Sequence, residues 1–417
     1  MPNRQLYTVP ARVVALLMAC QLASAQPASE WNQWRGPTRD GFVAASAPQW
    51  PEKLDSLERL WRVEMGPSYS GPIVSTDLVF VTETVDKKDE VVRALDRKTG
   101  REVWRKQWPG AMTVAFFAAS RGSWIRATPA YDGEAVYVAG IRDLMVALDA
   151  KTGEQRWRVD FMERYKSPEP TFGFVSSPLI IGDDLYVQAG GGFCKLNKKT
   201  GESIWRTLDD GGGMMGSAFG SPVLATVAGR EQLLVQTREK LAGVEPKDGA
   251  VLWSVTVPNF RGMNILTPIA FGDSVFTSSY KNGSYLYSVK REGDELAVAK
   301  AWESKPTGYM TTPILRDGHA YLLLQNQRFA CIELKSGAEK WRSESFGQYQ
   351  SLVAQGDRIL ALDERGELLL IRATPEKFEL IAQTKVSEQE TWAHLAVAGD
   401  QVFIREINAI TAYRWNR

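Results

Sequence analysis

Residues 94–104 read ALDRKTGREVW, and altered copies of this stretch recur along the chain. Five copies share a glycine that is followed by a tryptophan four positions later. They are Gly100 with Trp104, Gly153 with Trp157, Gly201 with Trp205, Gly249 with Trp253, and Gly337 with Trp341. The first four glycines are 53, 48 and 48 residues apart. A period of about 40 to 50 residues with strands and turns is typical of a propeller or a solenoid.

A second pattern precedes each of these turns. A small residue and a proline lead into an apolar run, a Gly/Asp turn and a strand rich in Val, Tyr or Phe, as in the stretch from Thr128 to Val138. Eight copies start near residues 70, 128, 177, 221, 267, 312, 352 and 395, and the last two lack the proline. Turn dipeptides between alternating apolar runs predict β-hairpins. Each repeat is therefore expected to begin with two antiparallel strands and to end with the glycine turn and its tryptophan strand.

The last repeat ends at Tyr413-Arg414-Trp415 after only three predicted strands. The stretch Leu57–Val63, which contains Trp61, has the character of the missing fourth strand. Pairing it with the last repeat would close the ring and remove the open sheet edges. The sequence thus predicts an all-β, eight-bladed β-propeller of four-stranded antiparallel blades over residues 56–417, closed by an N-terminal strand. Residues 26–55 are expected to form a separate N-terminal segment.

The first 25 residues have the pattern of a cleaved export signal. Arg4 and Arg12 precede a short apolar run, and Ala23-Ser24-Ala25 resembles a cleavage site. The run is too short to span a bilayer, so no transmembrane segment is expected. We expect a periplasmic or secreted bacterial protein, although Cys20 also lies in a lipoprotein-like box and offers an alternative lipid anchor. Cys194 and Cys331 then remain, and they are expected to be buried free thiols.

Composition excludes two classes of function. The formal net charge is +1 and no basic stripe is present, which argues against nucleic-acid binding. The chain has two histidines, His319 and His394, too few for a His-rich metal site. No catalytic or metal-ligating residues are assigned from the sequence.

The repeated ALDRKTGREVW element resembles the tryptophan-docking motif of pyrroloquinoline-quinone (PQQ) repeat propellers. Residues 31–41, WNQWRGPTRDG, are similar to the corresponding stretch of exported bacterial PQQ-like repeat proteins. This family includes quinoprotein dehydrogenases and the cofactor-free scaffold lipoprotein of the outer-membrane β-barrel assembly machinery. The resemblance therefore implies the fold and leaves the activity open.

The docking tryptophans are expected to pack between blades, because the motif places them on the outermost strand, far from the ring axis. This structural set comprises Trp61, Trp104, Trp157, Trp205, Trp253 and Trp341.

A quinone enzyme of this family would need basic residues around the PQQ, oxygen ligands for Ca²⁺ and an Asp base. It would also commonly carry two adjacent cysteines, and this chain has no such pair. We therefore expect no cofactor and no enzymatic activity, with a PQQ- and Ca²⁺-dependent alcohol or sugar dehydrogenase as the alternative.

The links between one blade's outer strand and the next blade's inner strand are rich in aromatic residues, Met and Arg, the residue types that recognition surfaces concentrate. The alternative is that these side chains plug the central channel. The predicted function is a monomeric, exported, non-catalytic scaffold that binds a protein, peptide or glycan at its axial face. The candidate partner-binding residues are Arg121, Trp124, Arg126, Phe174, Met215, Asn264, Tyr309, Gln350, Trp392 and His394.

Overall fold

The computed structural model describes residues 29–115, 122–209 and 218–416. Within these ranges the strands form eight four-stranded antiparallel sheets, which are the blades of a β-propeller. The predicted fold class is confirmed. The described part of the chain contains one short α-helix, α1, Phe161–Tyr165. Asp160 caps it by accepting a hydrogen bond from Glu163 N at 3.0 Å.

The first four blades follow the chain without interruption. Blade 1 contains β2 Ile73–Val74, β3 Leu78–Val85, β4 Asp89–Asp96 and β5 Glu102–Pro109; blade 2 contains β6 Ala130–Tyr131, β7 Ala135–Gly140, β8 Leu144–Asp149 and β9 Gln155–Asp160. Blade 3 contains β10 Leu179–Ile181, β11 Asp184–Ala189, β12 Gly192–Asn197 and β13 Ser203–Thr207; blade 4 contains β14 Val223–Val227, β15 Arg230–Gln236, β16 Lys240–Val244 and β17 Val251–Thr256.

The remaining blades repeat this plan, and blade 8 completes it with the first strand of the chain. Blade 5 contains β18 Ile269–Phe271, β19 Ser274–Ser279, β20 Gly283–Glu292 and β21 Glu295–Ser304; blade 6 contains β22 Ile314–Arg316, β23 His319–Leu323, β24 Arg328–Glu333 and β25 Glu339–Ser345. Blade 7 contains β26 Gln350–Gln355, β27 Arg358–Asp363, β28 Glu367–Arg372 and β29 Leu380–Lys385; blade 8 contains β30 Ala396–Ala398, β31 Gln401–Glu406, β32 Ala409–Trp415 and β1 Leu57–Glu64.

The N-terminal strand closes the ring as expected. Strand β1 pairs antiparallel with β32, and Trp61 lies opposite Ala412. The innermost strands of neighbouring blades contact one another, as β2 does with β30 and β22 with β26. This places the first strand of each blade at the axis and its fourth strand at the rim. The middle strands are buried on both faces, whereas rim strands such as β5 alternate between buried and exposed residues.

The tryptophans of the repeat, with the exception of Trp253, pack onto the turn of the following blade. Trp61 Nε1 donates to the carbonyl of Arg97 at 3.0 Å, and its ring covers Gly100 so closely that a Cβ there would lie 2.8 Å from the indole. Gly100 has φ +72°, a conformation that a residue with a side chain rarely adopts. Trp104, Trp157 and Trp205 make the same donation to the carbonyls of Ala150, Lys198 and Pro246, and Trp341 donates to Thr374.

Blade 5 departs from this arrangement. Strands β20 and β21 are each ten residues long, so their turn lies far out, and nothing approaches Gly293 there. Trp253 of blade 4 therefore has no such turn to cover, and its indole donates instead to Gln232 Oε1 of its own blade at 2.5 Å. Trp302, which the spacing rule omits, covers Gly337 and donates to the carbonyl of Leu334 at 2.7 Å. The docking set thus includes Trp302, and Trp253 is bound differently.

The small-residue–proline pattern also has a physical cause. Around the axis, the backbone N–H of one blade donates to the Ser or Thr hydroxyl of the next blade. The N–H of Thr128 reaches Ser177 Oγ at 3.1 Å, Ser177 reaches Ser221 Oγ at 2.9 Å, and Ser221 reaches Thr267 Oγ1 at 3.0 Å. These bonds satisfy buried backbone groups and fix the blades to one another. Cys194 and Cys331 are buried free thiols in β12 and β24, as expected.

Candidate functional site

The links between blades define one end of the ring. Every blade runs from the axis to the rim, so the eight links that lead to the next inner strand lie at the same end, which we call the link face. The sequence-derived candidates lie in or beside these links. Arg121 and Met215 lie outside the described residues, as do Cys20 and the predicted signal.

The axis is crossed by residues 31–43, which we call the axial segment. Trp31 exchanges two backbone hydrogen bonds of 2.8 Å with Val74 of blade 1. The carbonyl of Asn32 accepts from Tyr131 N of blade 2 at 2.8 Å, and Val43 N donates to Ala354 O of blade 7 at the same distance. The axial segment therefore joins inner strands that lie on different sides of the channel.

Two arginines of the axial segment reach opposite sectors of the ring. Arg35 donates to the carbonyls of Thr312 and Pro313 at the start of blade 6, both at 2.7 Å. Arg39 donates to the carbonyls of Pro178 and Ser177 at the start of blade 3, at 2.6 Å and 3.0 Å. Their exposed fractions are 1% and 3%. The channel is thus plugged by the N-terminal segment, whereas sequence reasoning considered the links as the plug.

Burial lowers the pKa of both guanidinium groups, because the charged form loses its hydration. It lowers the pKa of Arg35 to about 10, while Asp40 partly counteracts the shift. It lowers the pKa of Arg39 to about 9, and the charge of Arg35 adds to the effect. Both groups remain cationic at neutral pH and are bound to carbonyl oxygens, so the middle of the ring carries buried positive charge.

On the link face, four half-buried side chains from consecutive links form a continuous arc: Tyr349, Trp392, Tyr69 and Arg126. The Tyr349 and Trp392 rings are stacked with centroids 5.3 Å apart and an interplanar angle of 7°. Trp392 and Tyr69 are 6.2 Å apart, and the Arg126 guanidinium lies 5.6 Å from the Tyr69 ring. The structure therefore brings together Arg126 and Trp392, which are distant in sequence. Tyr69 was not among the candidates predicted from the sequence, although it directly precedes the first small-residue–proline pattern, Ser70-Gly71-Pro72.

Two further candidates lie buried beside this arc. His394 meets Trp34 of the axial segment edge to face at 5.9 Å, and its Nδ1 is 2.9 Å from the carbonyl of Leu395. Burial, with a smaller contribution from Arg35, lowers the pKa of His394 to about 3, so the ring is neutral. Gln350 is fully buried. Its side-chain amide has no hydrogen-bond partner among the described residues.

The other candidates lie apart from the arc. Tyr309 packs on Tyr280 with ring centroids 4.7 Å apart. Asn264 is buried and donates to the carbonyl of Arg238 at 2.8 Å, and Phe174 is buried against Phe161. Trp124 is half-buried and stands against Gly122.

A quinone and its metal do not fit the described residues. No group of three or more His, Cys, Asp or Glu side chains that could hold a metal ion occurs in residues 29–115, 122–209 and 218–416. The two arginines on the axis already donate to backbone carbonyls of blades 3 and 6. The carboxylate cluster with which proteins commonly hold Ca²⁺ is therefore absent from the described part of the chain.

Comparison with known proteins identifies the family. The family profile described as outer membrane protein assembly factor BamB matches residues 87–343. The chain belongs to this family. It is 24% identical over 261 residues to the BamB protein of Yersinia pestis, a match that covers 59% of this chain and 63% of that protein, slightly less than two thirds of its length. It is 23% identical over 366 residues to BamB of Moranella endobia (strain PCIT), covering 84% of this chain and 88% of that protein.

The fold is shared more widely than the BamB family. The quinohemoprotein alcohol dehydrogenase of Comamonas testosteroni superimposes with a TM-score of 0.66 at 12% identity, covering 94% of this chain and 81% of that chain. This likeness shows the propeller architecture alone, because catalysis depends on site residues that the fold does not dictate. In the part of the chain that the structure describes, no helix has the length and apolar character needed to cross a membrane.

Proposed function

We propose that this BamB-family protein is a non-catalytic scaffold of outer-membrane protein assembly that binds a protein partner through its link face. In this proposal residues 1–25 direct export, residues 26–55 precede the propeller, and the monomeric propeller acts in the bacterial envelope. Residues 31–43 belong to the N-terminal segment and close the axis. Family membership supports the role in assembly.

The observation that carries the proposal is the contrast between the axis and the link face. The axial segment fills the channel, and its two arginines donate to backbone carbonyls, whereas the arc of Tyr349, Trp392, Tyr69 and Arg126 remains partly exposed. Partly exposed aromatic rings and arginine are the residue types that dominate binding energy at protein interfaces. A protein partner is therefore favoured over a ligand held inside the ring.

Affinity purification from the bacterial envelope tests this proposal. The triple variant Arg126→Ala, Tyr309→Ala, Trp392→Ala removes three link-face side chains. A matched control, Val103→Ala, Ile204→Ala, Val251→Ala, removes three exposed side chains at the rim. We expect the tagged wild type and the control to retain outer-membrane assembly proteins, and the link-face variant to retain at least about tenfold less. Equal retention by both variants would refute the choice of face.

The dehydrogenase alternative is tested separately by thermal unfolding with PQQ and Ca²⁺. A ligand that binds only the folded state raises the melting temperature at saturation. We expect no shift, because Arg35 and Arg39 already donate to backbone carbonyls and the described residues contain no cluster of three carboxylates. A saturable increase that requires both PQQ and Ca²⁺ would establish the alternative.

A further inference from the structure

We propose that the arc binds an extended peptide that carries a carboxylate and, about three to four residues away, an aromatic or aliphatic side chain. This inference rests on the proposed function and specifies which partner segment the link face recognises. It is carried by the geometry of the arc and by the charge at its Arg126 end.

The Arg126 end of the arc is suited to a carboxylate. One guanidinium nitrogen donates to Gly122 O at 2.8 Å, while Nε is buried without a partner among the described residues. Burial lowers the pKa of Arg126, and the neighbouring Tyr69 partly counteracts this shift. A carboxylate bound here would gain a charge-assisted hydrogen bond to a cation that has no carboxylate partner among the described residues.

The opposite end of the arc consists of the stacked Tyr349 and Trp392 rings, and two nearby carboxylates already accept hydrogen bonds. Glu364 accepts hydrogen bonds from Gln348 N at 2.8 Å and from Tyr349 N at 3.1 Å, and Glu390 accepts from the Trp392 indole. These carboxylates thus hold the Tyr349–Trp392 stack in place. The stacked rings present a surface for an aromatic or aliphatic side chain.

The spacing of the two ends sets the register of the peptide. Two steps, of 5.6 Å and 6.2 Å, lead from Arg126 through Tyr69 to Trp392. An extended chain, which advances about 3.3 Å per residue, covers this path in about three to four residues.

The tilt between the rings favours a peptide over a sugar. Trp392 and Tyr69 are inclined at 57°, so the arc is not the continuous flat platform on which a sugar ring stacks. It instead offers separate places for separate side chains.

Binding of synthetic peptides to the full-length protein tests the inference. The probe is a capped Asp-Ser-Thr-Ser-Phe peptide, and its comparisons are the Asn-for-Asp peptide, a shortened Asp-Ser-Phe peptide and a neutral oligosaccharide. The protein variants are Arg126→Gln and Trp392→Leu, with Lys281→Gln as the control. Lys281 is also a link-face cation, but it lies over Phe260, outside the arc. Unchanged melting temperatures establish that each variant is folded.

We expect Arg126→Gln to weaken binding of the Asp peptide about tenfold and to leave the Asn peptide nearly unchanged. Trp392→Leu should weaken both peptides, the shortened peptide should bind at least about tenfold more weakly, and Lys281→Gln should have no effect. Equal weakening of the Asp and Asn peptides by Arg126→Gln, preference for the oligosaccharide, or no peptide binding would overturn the inference. If peptides fail while the purified wild type still retains assembly proteins, only this inference fails. If no assembly proteins are retained, the proposed function fails as well.

Discussion

The buried carboxylate of Glu90 should make the stability of the propeller depend on pH. Glu90 joins blades 1 and 2, because its two oxygens accept hydrogen bonds from Ile141 N at 2.6 Å and Trp108 Nε1 at 3.0 Å. Burial raises its pKa from 4.5 to about 7, and the two hydrogen bonds offset only part of that shift. Asp143 bonds Gly190 N of blade 3 in the same way, and burial raises its pKa to about 7 as well.

The sign of the effect follows from the raised pKa. The folded state binds the proton more tightly than the unfolded state, so the stabilisation is complete below pH 4.5 and is lost as the pH rises through about 7. A difference of about 2.5 pKa units corresponds to about 3 kcal/mol at 1.36 kcal/mol per unit. Most of this change should fall between pH 5 and pH 8.

Urea unfolding of the wild type and of Glu90→Gln at pH 5, 6, 7 and 8 measures this contribution. The free-energy difference between the two proteins should shift by about 2–3 kcal/mol across the range, with the wild type gaining stability relative to the variant at low pH. His394 has a lowered pKa, so its contribution to the free energy of unfolding has the opposite pH dependence. Because both proteins contain His394, this contribution cancels in the difference between them. Glu134→Gln, at a side chain that is 78% exposed, is the control and should show no such shift. A difference between wild type and Glu90→Gln that stays constant with pH would refute the reasoning.

Two further predictions concern the architecture. Gly337→Ala and Gly293→Ala both place a side chain at positive φ, but only at Gly337 would the new Cβ meet a tryptophan, Trp302, at 2.7 Å. We expect Gly337→Ala to lower the unfolding free energy by about 1–3 kcal/mol more than Gly293→Ala, and equal losses in urea titrations would contradict the docking role of Trp302. Arg35→Ala should cost about 2–4 kcal/mol, because the buried carbonyls of Thr312 and Pro313 lose their donor. A melting temperature unchanged in Arg35→Ala would show that the axial segment does not brace the ring.

The sequence was sufficient to predict the eight-bladed ring and its closure by the N-terminal strand, because both depend on a repeated local pattern. The strand containing Trp61 could be placed in blade 8 since the last repeat lacked one strand. The spacing of four residues between glycine and tryptophan does not hold in blade 5, where longer strands move the turn outward. This insertion explains why Trp302 escaped the spacing rule and why Trp253 lacks a glycine turn to cover.

The site could not be predicted with the same success, because its contacts are not local in the chain. Arg35 and Arg39 bind carbonyls that are more than a hundred residues away, and nothing in residues 31–41 alone indicates those partners. Tyr69 and Trp392 meet only because the ring closes between the two ends of the chain. Residue type singled out Arg126 and Trp392 as candidates, but it could not distinguish these partly exposed residues from the buried Phe174, Asn264 and Gln350.

Site-specific photo-crosslinking in the envelope tests the central claim most directly. A photoreactive amino acid is placed at Trp392 in one protein and at the rim residue Val103, which is 45% exposed, in another. We predict that irradiation joins the Trp392 variant to a protein of the outer-membrane assembly machinery and leaves the Val103 variant without that product. Crosslinks to assembly proteins from Val103 and none from Trp392 would contradict the claim that the link face is the binding surface.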